Sequence, residues 1–130
     1  MEMKKSLIIL AMLCFSTLCY SQSIRMRATH VCFDDGANGT WSDWTPLDRT
    51  IYVIFDFDRD IIQITNNQKD VFEFYEITEK NANGYNTLFF YCINKDGNKC
   101  VLSFRDAPKD KMLDITITYD DFQYMYSLTK

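Results

Sequence analysis

A chain of 130 residues, 47% of them hydrophobic and 25% charged, can bury one core; this composition excludes a disordered chain. Its 14 basic residues against 18 acidic ones leave a formal charge of −4. The basic residues are scattered, so nucleic acid is not an expected partner, because tracking phosphates needs a basic groove or stripe.

In chain order, Lys4 and Lys5 stand ahead of an apolar run from Ser6 to Leu18, the basic-then-apolar pattern of an export signal. The run falls short of the roughly 20 apolar residues of a membrane-spanning helix. Cys19 and Ser21 supply small residues three positions and one position before a cut, which predicts a signal peptide over 1–21 and an all-β domain over 22–130 beginning at Gln22. A lipoprotein anchor on Cys14 or Cys19 is the less favoured alternative, since Leu13 and Leu18 precede them where a small residue is wanted. Removing Glu2, Lys4 and Lys5 with the leader leaves 12 basic and 17 acidic residues, so the expected secreted or periplasmic product is more acidic than its precursor.

From residue 24 onward the pattern is that of strands. Ile24 to Phe33 reads as one strand, Asp34 to Gly39 as a loop, and Thr40 to Trp44 as a short strand stopped by Pro46. Ile51, Val53, Phe55 and Phe57 alternate onto one face, and a turn at Asp58-Arg59 leads into Ile61 to Thr65. Asn83-Gly84 is the residue pair of a two-residue type I′ hairpin and joins Val71–Glu79 to Thr87–Ile93. Asn94 to Gly97 fits a three-residue loop with Gly97 as a left-handed bulge, which sets Asn94 opposite Asn98, Cys92 opposite Cys100, Phe90 opposite Leu102 and Leu88 opposite Phe104. Leu113, Ile115, Ile117 and Tyr119 alternate on a strand, and Asp120-Asp121 turns it into another with Phe122, Tyr124, Tyr126 and Leu128 inward. The expected fold class is all-β: a single small antiparallel meander of about eight or nine strands, closed as a sandwich or a small barrel.

Three cysteines follow the leader. Cys92 and Cys100, facing one another in an oxidising compartment, are the expected disulfide. Cys32 is left over, two residues from His30, the only histidine; the two would share a face of a strand, yet nothing in the sequence orients the imidazole as a nucleophile pair requires. Asp56, Asp58 and Asp60 begin like a calcium loop, but Ile61 stands where its glycine belongs and Asn67 where its closing glutamate belongs. Zinc lacks ligands at suitable spacing, and no nucleophile elbow or phosphate-binding glycine loop is present. No metal, cofactor or catalytic residue is therefore expected. Asn38 heads a glycosylation acceptor that matters only on a eukaryotic secretory route.

Aromatic residues make up 15% of the chain, and the Asn83-Gly84 register divides some of them between two faces. Tyr75, Ile77, Leu88 and Phe90 form one face; Phe72, Phe74, Phe89, Tyr91 and Ile93 form the other. Only one can enter the core, so the second is expected to be covered by the N-terminal segment through Trp41 and Trp44, or to serve as a recognition surface or homodimer interface. The leading expectation is an exported, non-enzymatic binding module that uses Phe72, Phe74, Phe89 and Tyr91 to bind an unknown protein. The alternatives are a barrel resembling the lipocalins, with a small apolar ligand inside, and a small secreted hydrolase relying on loop carboxylates. In outline only, the chain resembles small secreted bacterial β proteins, and outline does not give function.

Overall fold

The computed structural model describes residues 23–34, 40–65, 69–82, 84–107, 109 and 112–129. The leader and its cleavage site, residues 35–39 and Asn83 lie outside the described residues. The chain forms eight strands: β1 (Ser23–Asp34), β2 (Thr45–Asp56), β3 (Ile61–Thr65), β4 (Lys69–Ala82), β5 (Tyr85–Asn94), β6 (Lys99–Ala107), β7 (Met112–Thr118) and β8 (Gln123–Thr129). Each strand pairs antiparallel with the next, and β8 returns to β1, making a closed up-and-down barrel. Closure gives every strand a neighbour on both sides over at least part of its length.

Local chemistry sets most of the register. Asp56 Oδ1 accepts hydrogen bonds from the amides of Asp58 and Arg59 at 3.2 Å, an Asx turn that brings Asp56 opposite Ile61. At the β5–β6 hairpin the Asn94 amide donates to the Asn98 carbonyl, the Gly97 amide to the Asn94 carbonyl, and Gly97 has φ +86. That is the three-residue loop read from the sequence, and Cys92 opposite Cys100, Phe90 opposite Leu102 and Leu88 opposite Phe104 follow from it. Ala82 pairs with Tyr85 across the two-residue connection, where Gly84 has φ +80.

Two regions differ from the sequence expectation. Thr40 to Trp44 is not a strand, and β2 begins at Thr45 and runs through Pro46. Proline is tolerated because β3 pairs only with Tyr52 to Asp56, leaving no strand among the described residues paired on that side of Pro46, and because the β1–β2 register slips there from Ala28 opposite Ile51 to His30 opposite Pro46. The second difference is a bulge in β4. The register slips between Phe74 and Glu76, so Tyr75 is an extra residue and both Tyr75 and Glu76 point outward. Phe72 and Phe74 therefore turn inward and join Ile77, Leu88 and Phe90 in the core, where they are 2% and 6% exposed. The aromatic surface expected from Phe72, Phe74, Phe89 and Tyr91 is thus divided: the first two are core, while Phe89 and Tyr91 remain half-buried on the outside.

Toward the β2–β3 turn the interior is filled with rings. Phe55 lies 5.7 Å from Phe90 and 5.4 Å from Phe104 between centroids, and Phe74 lies 5.2 Å from Phe90, each at an inclined or edge-on angle favourable to aromatic pairs. Outward positions on β4 and β7 carry Glu73, Glu76, Thr116 and Thr118. Among the described residues no helix is long and apolar enough to cross a membrane.

The bulge makes a sharp prediction from two adjacent aromatic residues. Phe74→Ala should cost about 3–5 kcal/mol in urea unfolding, whereas Tyr75→Ala should cost about 0.5 kcal/mol. Equal losses would show that the phase of β4 is otherwise.

Candidate functional site

The connections β1–β2, β3–β4, β5–β6 and β7–β8 all lie at one end of the barrel, as up-and-down topology requires. At this mouth a concavity of about 630 Å³ is lined by Asn94, Asn98 and Lys99 from the β5–β6 hairpin and by Tyr119, Asp120, Asp121, Phe122 and Tyr124 from the β7–β8 hairpin. Tyr119 and Tyr124 continue the inward series of β7 and β8, and Phe122 closes the turn with its carbonyl accepting the Tyr119 amide at 2.9 Å. The turn thereby stacks its rings: Tyr119 and Phe122 lie 4.9 Å apart and 20° from parallel, Phe122 and Tyr124 6.3 Å apart and 12° from parallel. Phe33, inward at the end of β1, adds a fourth ring 6.3 Å from Tyr124. Phe122 and Phe33 keep 43% and 54% of their surface exposed.

The polar side of the mouth is built by Asn94. Its Oδ1 accepts the amides of Asp96 and Asn98 at 3.0 and 2.9 Å, and its Nδ2 donates to the Tyr119 hydroxyl at 3.1 Å, so one side chain holds both the hairpin and the ring. Asp70, on the inward face of β4, pairs with Lys95 Nζ at 3.7 Å. Burial pushes the hydroxyls of Tyr119, Tyr124 and Tyr126 above their ordinary range, and the Asp70 charge adds to the shift of all three. These phenols stay protonated and are hydrogen-bond donors at any physiological pH.

Cys92 and Cys100 sit directly opposite one another one step below this mouth, as the sequence register places them. Both are buried free thiols, so the expected bridge is not formed in this structure. Burial pushes the Cys92 thiol up to about 12, with Cys100 beside it. Cys32 and His30 do share the outer face of β1, but His30 Nδ1 bonds Thr29 Oγ1 at 3.0 Å, and burial together with Asp114 raises the Cys32 thiol. That is the opposite of an activated nucleophile. The Asp56, Asp58 and Asp60 turn spends Asp56 on its own backbone, and no group of three metal-ligating side chains occurs among the described residues.

Another concavity, of about 320 Å³, lies on the outer wall and is lined by Trp41 with Thr87, Ser103, Arg105, Asp114, Thr116 and Met125. Trp41 is half-buried, whereas Trp44 is exposed. Asp114 is only 2% exposed, and its Oδ2 accepts from Arg105 Nε at 3.1 Å and Nη2 at 2.6 Å. Burial raises the Asp114 carboxyl, and Arg105 opposes the rise through its hydrogen bonds and its charge.

The residues that line the mouth were not singled out by sequence reasoning. The available signal was an aromatic residue, Phe122, beside two aspartates in a turn, with tyrosines at the nearest inward positions on either side. No protein-family model, curated protein or solved structure matches the chain.

The Asp114–Arg105 pair has a testable sign. With its folded value raised, the stability that Asp114 contributes is fully present below its ordinary pKa and is lost as pH rises through the folded one. A carboxyl NMR titration should place Asp114 above its usual range, and Arg105→Ala should raise it further while costing about 1–3 kcal/mol of stability. A fall in Asp114 on removing Arg105 would contradict the assignment.

Proposed function

We propose that this chain is an exported, non-enzymatic binding protein that holds a small ligand in the mouth of its barrel. The ligand has a flat or apolar face that stacks on Tyr119, Phe122 and Tyr124, and a polar edge that bonds Asn94, Asn98 and the tyrosine hydroxyls. The observation that carries this reading is the ladder of near-parallel rings left partly open in a concavity, at a place where barrels commonly hold ligands. The fully apolar ligand of a lipocalin-like interior is less well supported, because phenylalanine rings occupy the space toward the β2–β3 turn. Export rests on the basic and apolar N-terminal pattern.

A second reading uses what remains of the outer aromatic patch. Tyr75 and Ile93 are exposed on adjacent strands near Phe89 and Tyr91, and a second copy of the chain is the partner proposed there. A concentration-dependent dimer in sedimentation that is lost in Tyr75→Glu supports it; a monomer at all concentrations removes it.

The mouth is tested with the neutral, flat fluorophore N-phenyl-1-naphthylamine. Its fluorescence should rise saturably with the wild-type protein, and Phe122→Ala should weaken binding about tenfold with little change in thermal midpoint, since Phe122 is an exposed turn residue. Undiminished binding by Phe122→Ala would overturn the reading. Export is checked separately by the intact mass of the chain recovered outside the cytoplasm, which should begin at Gln22.

A further inference from the structure

We infer that Cys92 and Cys100 form a reversible dithiol–disulfide couple of the barrel mouth, and that Tyr119 relays its state to the cavity. The relay to ligand binding rests on the reading above; the sulfur chemistry does not.

The two thiols face one another across β5 and β6, and they lie two residues from the pair in which Asn94 donates to Asn98. By the alternation of an antiparallel ladder, Cys92 and Cys100 therefore exchange backbone hydrogen bonds, a class of pair whose Cα atoms lie about 5.5 Å apart. That spacing is within the range of a disulfide, whose Cα atoms are usually about 4.4–6.8 Å apart. Opposed β-carbons, however, are about 4.5–5.5 Å apart, against about 3.5–4.5 Å in a bridge. Closing the bond must draw the strands together beside the hairpin, and a bond made under such strain is readily reduced. The pull falls on the wall of the concavity, because Asn94 and Tyr119 are its lining. Tyr119 accepts from Asn94 Nδ2 at 3.1 Å, and its phenol and the Cys100 thiol are near enough to shift one another, so its hydroxyl links the sulfur pair to the polar side of the mouth.

The oxidant is an external disulfide such as oxidised glutathione. Cys100, next to the mouth and beside Tyr119, loses its proton and attacks one external sulfur, releasing one glutathione thiol and forming a mixed disulfide. Cys92 then loses its proton and attacks the Cys100 sulfur, releasing the second thiol. Two thiols have become one disulfide, and the two electrons and two protons reside on the two glutathione molecules. Tyr119 then lies beside a disulfide sulfur in place of a thiol.

The test uses the full chain in glutathione buffers from fully reducing to fully oxidising. Trypsin cuts after Lys80, Lys95, Lys99 and Arg105, so a Cys92–Cys100 bond appears as peptide 81–95 linked to peptide 100–105. The linked pair should accumulate with oxidised glutathione and vanish with dithiothreitol, and Tyr119→Phe should slow its formation several-fold. N-phenyl-1-naphthylamine should bind at least threefold more weakly to the oxidised protein, and Tyr119→Phe should abolish that difference. Thiols that stay reduced throughout, or that join glutathione or Cys32 instead of one another, overturn the couple. A bond that forms without altering probe affinity overturns the relay. Probe binding in neither state sinks the binding reading while leaving the sulfur couple intact.

Discussion

Closure of β8 onto β1, from Arg27 opposite Thr129 to Asp34 opposite Gln123, is the constraint on which everything else depends. A closed sheet has one interior, and along each strand side chains alternate into it or away from it. A strand whose apolar residues fall on both faces must change phase or leave apolar surface outside. β4 changes phase at Tyr75 and β1 at Thr29, and in both cases apolar residues on either side of the slip end up inside.

The interior so formed is graded. Phenylalanines pack together toward the β2–β3 turn, where nothing polar needs a partner, and tyrosines gather toward the opposite mouth, where their hydroxyls reach Asn94 and the rim. Among the described residues every buried side-chain nitrogen and oxygen has a hydrogen-bond partner, so the polar groups near the core carry no unmet desolvation cost. The same gradient leaves the mouth as the place where aromatic surface and hydrogen-bonding groups converge while still open to solvent.

The mouth and the groove lined by Trp41 differ in what they could recognise. The groove is lined largely by threonines, a serine and an ion pair whose partners already satisfy one another. The mouth offers stacked rings, amide groups and charged rim residues that are only partly engaged. Its β5–β6 hairpin also stands beside a buried pair of thiols, and Asn94 joins that hairpin to Tyr119.

The sequence by itself determined the strands and the hairpin registers, because those depend on short-range chemistry. Alternation marked β3, β7 and β8; Gly97 and Asn94 specified a loop that alone sets Cys92 against Cys100; and Asp56 folded its own turn. Only the tertiary structure decided which face of each strand was interior where the phase slipped. Nothing local to Phe72, Phe74 and Tyr75 says that one residue will be left out of the ladder, since that choice appears only in the pairing of β4 with β5 and in the room available inside. It also decided that Pro46 could sit within a strand, because the lack of a paired strand on one side, among the described residues, is not written in the strand's own residues. The mouth was likewise assembled from hairpins distant in sequence, so its rings and amides could be recognised as one site only after the barrel had closed.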